Sequence, residues 1–376
     1  MKNQIKLGRY FGVQVGLHVS WLVIAYLIVM SVAQDFRAHN PDWSPQTVWS
    51  TALLTGALFF ITIIIHELAH SLVAKAHGIP VKAITLFALG GVSQIEKDSE
   101  DARTEFWIGI AGPLTSLAIG GGCLGLAHAL GWNSGTPHQA PLALLVWLGY
   151  INLGLAFFNL IPGFPLDGGR VLRALIWWAT KNGERATRVA ARVGHWVAML
   201  FIFIGLYQFF RGAGLNGLWI AFIGWFLNQA AQATSLKSQW DAALKGLKVE
   251  DVMTRDFPVV ASATDLETFV HDVLLPKGRT YAIVREHERN VGILTAQDVK
   301  RVDKTEWSNT PVRQVMRRFD ELGTVAAGAS AKTAFDIINR NRVGLLAVVS
   351  DGHVEGILTI GTILQLLHAR MELHEP

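Results

Sequence analysis

A chain of 376 residues that is 51% hydrophobic and only 16% charged falls well short of the roughly 25% charged residues of an ordinary soluble domain, so part of it belongs in a membrane. The formal charge of +4 is too small for a nucleic-acid surface and reads as membrane-flanking Lys and Arg. The single cysteine, Cys123, excludes an internal disulfide and a cysteine-built zinc site.

Six apolar stretches long enough to consider as spans follow in chain order, at 13–33, 48–70, 106–130, 142–161, 193–210 and 215–231, the last two being the shortest. The polar residues 1–10 have no small-residue cleavage site behind them, so the first stretch reads as a retained span and not as a signal peptide. Lys2, Lys6 and Arg9 precede it. Lys75, Lys82, Lys97 and Arg103 separate the second and third stretches, and Arg170, Arg173, Lys181, Arg185, Arg188 and Arg192 separate the fourth and fifth. The alternate loops hold only Arg37, no basic residue, and Arg211. This asymmetry places both termini in the cytoplasm of a multi-pass protein of the cell (inner) membrane, surrounded by lipid.

The second stretch ends in His66-Glu67-Leu68-Ala69-His70. On a helix, positions i and i+4 share a face, so His66 and His70 converge and can hold one Zn²⁺, with Glu67 beside them as general base. Two His and a Glu are costly in an apolar helix without a use. Gly78-Ile79-Pro80 marks the helix end, and Val81 to Ile95, with β-branched and aromatic residues around Gly90-Gly91, reads as a short hairpin or re-entrant segment.

Catalytic zinc takes a third protein ligand and leaves one position open. Asp167 is the candidate, in Asn159-Leu160-Ile161-Pro162-Gly163-Phe164-Pro165-Leu166-Asp167-Gly168-Gly169-Arg170. Its prolines and glycines stop a plain helix, and irregular backbone at membrane depth survives only where it lines a cavity or is buried in protein. The alternative is a helix-capping carboxylate paired with Arg170 or Arg173. Asn159 offers an amide to a peptide carbonyl or developing oxyanion. His18, His77, His128, His138 and His195 sit at helix ends or beyond and read as ordinary interfacial side chains.

After residue 231 the composition changes. Residues 232–248 are polar and linker-like, and from 249 short apolar strands alternate with helical patterns. Val249-Glu250-Asp251-Val252-Met253 returns as Val312-Arg313-Gln314-Val315-Met316, and Gly292-Ile293-Leu294-Thr295 returns as Gly356-Ile357-Leu358-Thr359, at offsets of 63 and 64 residues. The chain therefore divides into a membrane domain at 1–231, a linker at 232–248 and two copies of an α/β unit at 249–308 and 309–371.

These motifs resemble two families. His66 to His70, Asn159 and Pro165 to Gly169, with Phe87 to Gly91 and Ala111-Gly112-Pro113, make residues 1–230 similar to the site-2 proteases, intramembrane zinc metalloproteases, in the branch without a PDZ domain. The resemblance implies an α-helical polytopic domain of about six transmembrane helices that cleaves transmembrane segments of protein substrates. The repeat resembles a pair of cystathionine-β-synthase-type (CBS) domains. That resemblance implies homodimerisation and an adenine nucleotide (ATP, ADP or AMP) contacted by Thr295 and Asp298. The second copy has Thr362 where the first has Asp298, which puts a second site in doubt. A CBS-regulated transporter or channel is the alternative reading. It gives Glu67 no necessary role, and no inverted repeat among the spans supports it.

Overall fold

The computed structural model describes residues 4–373 except 88–89, 96–98, 100, 277, 279, 288, 341–343 and 351–352. The chain forms two compact units, Met1–Ser238 and Gln239–Pro376.

The first unit opens with a hairpin, β1 (Gln4–Tyr10) and β2 (Val13–His18). Phe11 and Gly12, at φ 49° and 80°, make the two-residue turn with two left-handed positions that suits strand twist. The expected first span at 13–33 is therefore corrected. Its start is a strand in which Val13, Val15 and Leu17 are buried and Gln14 is exposed, a period of two hidden by the apolar helix that follows. That helix, α1, runs Trp21–His39.

Helix α2 (Pro45–Ala76) starts at Ser44, whose hydroxyl accepts from the Thr47 N–H, with Pro45 in the first turn. It stops before Gly78 at φ 77°. At 32 residues it is about 48 Å long, more than the ~30 Å hydrocarbon core. β3 (Val81–Phe87) and β4 (Gly90–Ile95) follow as the expected hairpin, although Ala88 and Leu89 lie outside the described residues. β3 also pairs in parallel with β2, giving a sheet in the order β1-β2-β3-β4. Val13, Val15, Leu17, Ile84 and Leu86 from this sheet pack on Leu68 and Ala74 of α2 and on Ile108. The sheet is thus docked beside the helix that carries the histidine pair.

Then come α3 (Ala102–Ala129), α4 (Ala140–Asn159), α5 (Asp167–Thr180), α6 (Gly183–Gln208), which continues through a π turn, and α7 (Leu215–Leu244). Among the described residues five helices are long and apolar enough to cross a membrane: α1, α2, α3, α4 and α6 with its π extension. The sixth expected stretch is helical as α7, but Asn216, Asn228 and Gln229 dilute its apolar run. The polar segment 232–248 is not a loop throughout, because α7 continues to Leu244. Leu244 is part of the core of the second unit, with Trp240 and Leu247 packed against it.

The second unit is α/β and shows the repeat directly. β5 (Val259–Ala261), β6 (Tyr281–Glu286), β7 (Arg289–Thr295) and β8 (Arg317–Arg318) form one sheet. β9 (Thr324–Val325), β10 (Leu345–Ser350) and β11 (His353–Thr359) form the other. Val284 pairs with Gly292 as Val348 pairs with Gly356, and each ladder shifts register at the next residue. The openings of the copies are exchanged. Val249, Val252 and Met253 pack with Leu346, Val348 and Leu358, whereas Val312, Val315 and Met316 pack with Val284 and Leu294.

Candidate metal centre

His66 and His70 stand one turn apart on one face of α2, with their Nε2 atoms 3.3 Å from each other. α5 begins at Asp167, whose Oδ2 lies 3.2 Å from each Nε2. A tetrahedral Zn²⁺ with bonds of about 2.0–2.1 Å sets its ligand atoms about 3.3 Å apart. The triangle therefore matches one face of the tetrahedron such an ion needs. Both histidines are buried and Asp167 is half-buried. Among the described residues this is the one group of three or more His, Cys, Asp or Glu side chains with converging ligand atoms.

The far nitrogens fix the rings. His70 Nδ1–H donates to the Ile108 carbonyl at 2.6 Å, and His66 Nδ1 lies 2.9 Å from Ser116 Oγ, a hydroxyl able to accept its proton. A proton on each Nδ1 leaves the Nε2 lone pairs aimed into the triangle. Gly112 of α3 lies against the same atoms, and a Cβ there would overlap Nε2 of both His70 and His66. Space for an ion is thus kept open by the absence of a side chain.

The Pro-Gly stretch earns its composition in placing Asp167. Leu166 N–H donates to the Gly163 carbonyl and Gly169 N–H to that of Leu166, so the loop folds onto the first turn of α5. Gly168 packs against the backbone of Leu160 and Ile161, and Gly169 against that of Gly163 and Phe164, where no side chain fits. Arg170 and Arg173, the partners in the capping alternative, are both engaged by Glu105 of α3, at 3.1 Å from Arg170 Nε and 3.1 Å from Arg173 Nη1.

Glu67 is half-buried next to His66, and Asn159, also half-buried, is the last residue of α4. Among the described residues no hydrogen bond ties Asn159 to the triangle. Four of the other histidines bond elsewhere: His18 with Ser20, His77 with the Val73 carbonyl, His128 with that of Trp132 and His195 with Asn228. Sequence reasoning missed Glu105 and Ser116. Glu105 carried a faint signal, an acid at the lip of an apolar stretch, whereas Ser116 carried none.

In the second unit, Thr295 caps the turn Ala296–Val299, with its hydroxyl 2.6 Å from Asp298 Oδ2. Asp298 Oδ1 accepts from Arg317 Nε and Nη2 at 2.8 and 2.7 Å. Burial disfavours the Asp298 charge, but the bonds from Arg317 and Thr295 outweigh it and hold the carboxyl below the usual carboxylate range. At the equivalent place in the second copy Thr359 bonds Thr362, and Thr254 stands where Arg317 stands. The copy that lacks the acid also lacks its guanidinium.

The chain is similar to known proteins over nearly its whole length. The family description "Peptidase family M50" matches residues 55–132 and 121–202, and "CBS domain" matches 249–304 and 309–369. The Synechocystis sp. protein sll0528, which carries a provisional zinc metalloprotease name, is 34% identical over 373 residues, covering 98% of this chain and 96% of that one. The zinc metalloprotease MJ0392 of Methanocaldococcus jannaschii is 28% identical over 379 residues, covering 100% and 99%. A solved site-2 protease from the same archaeon is 30% identical and covers 62% of this chain and 95% of its own, with a TM-score of 0.43. A likeness that runs through protease region and repeat alike places the chain in peptidase family M50, as a zinc metalloprotease of the site-2 type that carries two CBS domains.

Proposed function

We propose that this protein is an endopeptidase that cuts transmembrane segments of other membrane proteins, with Zn²⁺ held by His66, His70 and Asp167. The observation that carries the reading is the triangle of ligand atoms, two of them on a helix fit to cross a membrane. Bound there, Zn²⁺ supplies Lewis acidity toward a water and toward the scissile carbonyl. Glu67, beside His66, takes a proton from the attacking water on its carboxylate and delivers it to the leaving amide nitrogen. Asn159 offers its side-chain N–H to the carbonyl oxygen.

A helical substrate must unwind first, because its carbonyls are engaged in its own hydrogen bonds. β4 ends the sheet order among the described residues, so an unwound strand can add to its free edge. The count of Lys and Arg gives a multi-pass protein of the cell membrane with both termini in the cytoplasm. In the second unit we extend the reading to homodimerisation and to an adenine nucleotide at Thr295 and Asp298. A ribose there has to take a bond now held by Arg317 or Thr295.

A Glu67→Gln variant tests the reading by trapping. Captured from membranes, it should hold uncut single-span proteins that the wild type releases as fragments. Equal recovery of intact spans with both forms would count against proteolysis, and a change in ion flux in its place would favour the transporter.

A further inference from the structure

Five positions of α3 fall at spacings of three and four: Glu105, Ile108, Gly109, Gly112 and Ser116. They form one stripe of the helix, and every one of them touches the machinery of the metal centre. Ser116 orients His66, the Ile108 carbonyl orients His70, and Gly112 keeps the space between them. Gly109 admits α5, since a Cβ there would stand 3.0 Å from Arg170 Cβ and 3.2 Å from Val171 N. Glu105 then grips α5. It takes the fork of Arg170 with Nε at 3.1 Å and Nη2 at 3.3 Å, takes Arg173 Nη1 at 3.1 Å, and accepts from Ser99 Oγ.

Glu105 is 1% exposed, and charge is expensive to bury. Replacing a buried ion cluster by apolar side chains of similar volume is often neutral or stabilising, so overall stability is a weak reason for this one. Its geometry offers a better reason. Arg170 lies three residues after Asp167, on the same face of α5. A two-bond fork between a guanidinium and a carboxylate fixes direction as well as distance. Because successive residues of a helix turn by about 100°, a small rotation of the first turn of α5 would swing Asp167 off the imidazoles.

We propose that Glu105 is a positioning residue of the metal centre. It touches neither ion nor substrate, and through Arg170 and Arg173 it locks the rotation of α5 that aims Asp167 Oδ2 at the two Nε2 atoms. This rests on the reading of His66, His70 and Asp167 as the metal ligands.

The test uses the full-length protein in detergent, stripped of metal. Zn²⁺ affinity is read by competition with a chromophoric chelator, and Co²⁺ is added separately for its visible absorption, which reports coordination geometry. Glu105→Gln keeps the shape and removes the charge; Arg170→Lys keeps the charge and loses the fork. Each should weaken Zn²⁺ binding about 10- to 100-fold and change the Co²⁺ spectrum; Glu105→Gln, which leaves two guanidinium groups without their carboxylate, should also lower the thermal unfolding midpoint, whereas Arg170→Lys, which keeps the charge, should move it less. The double variant should lose hardly more than either single one, since the two act as one unit. Zn²⁺ affinity within about twofold of wild type and an unaltered Co²⁺ spectrum in a folded Glu105→Gln would overturn the proposal, as would additive losses in the double variant. If Glu105→Gln does not fold, Arg170→Lys decides alone by the same two readouts. His66→Ala separates the levels: if wild type binds Zn²⁺ no better than His66→Ala, the ligand assignment itself fails.

Discussion

Asp167 is the vertex that ties two distant segments into one centre, at 101 and 97 residues from its partners on α2. Replacing His66, His70 or Asp167 with Ala should remove bound zinc and activity together. Glu67→Gln should keep the zinc and lose about 10²–10⁴ in rate, because in the proposed mechanism Glu67 moves a proton and holds no metal. Metal analysis of the purified variants checks this, and full zinc in Asp167→Ala would mean that the third ligand lies elsewhere. Gly112→Ala should also empty the site, since its Cβ would overlap both Nε2 atoms, whereas Gly121→Ala, with open space around it, should be silent. These four polar residues were legible in the sequence because ionisable groups in an apolar run need a reason to be there. Glu105 and Ser116 were not, because their meaning comes from partners 65 and 50 residues away, a distance no local pattern spans.

At the scale of elements, the sheet beside α2 and the ion pair of the second unit make separate predictions. If substrate adds to β4, proline at its outward N–H positions should abolish cleavage while leaving zinc content unchanged, because proline removes the donors a new strand would use. Unimpaired cleavage across such a scan of 90–95 would remove the strand-addition step. Asp298 has a folded-state pKa below its ordinary value. Its contribution to stability is therefore complete above about pH 4 and is lost as pH falls through the folded value. Hydrogen exchange in the full chain should show β6 and β7 losing protection on acidification, with a flatter acid profile in Asp298→Asn. Identical profiles would mean that the Arg317 pair contributes nothing. Asp298→Ala is the wrong probe of nucleotide binding, since it leaves a half-buried guanidinium unpaired and should itself destabilise the unit by roughly 3 kcal/mol. Two elements were illegible for a shared reason. The β2 strand and the end of α7 adjoin longer helical patterns, so composition merged the strand into a span and detached the polar helix end as a linker.

For the whole molecule, the order of a helical membrane region followed by an α/β pair could be read directly, because the apolar runs end near residue 231 and the repeat begins at 249. The number of crossings was harder to read. Among the described residues five helices meet the length and apolarity of a span and α7 does not, so α7 decides which side the C-terminus occupies. The Lys and Arg pattern predicts a reporter after Gly135 outside the cytoplasm and reporters after Lys181 and at Pro376 inside it. A C-terminal reporter outside would mean that α7 does not cross. The central claim, zinc-dependent cleavage within a membrane by Glu67, is tested most directly by reconstituting the purified protein in liposomes with a tagged single-span protein and mapping the fragments by mass spectrometry. The wild type should cut inside the span, stop when a chelator removes zinc and recover when zinc is returned, and Glu67→Gln should produce no fragments. Fragments formed equally by Glu67→Gln, or cuts confined to the soluble tails, would contradict it.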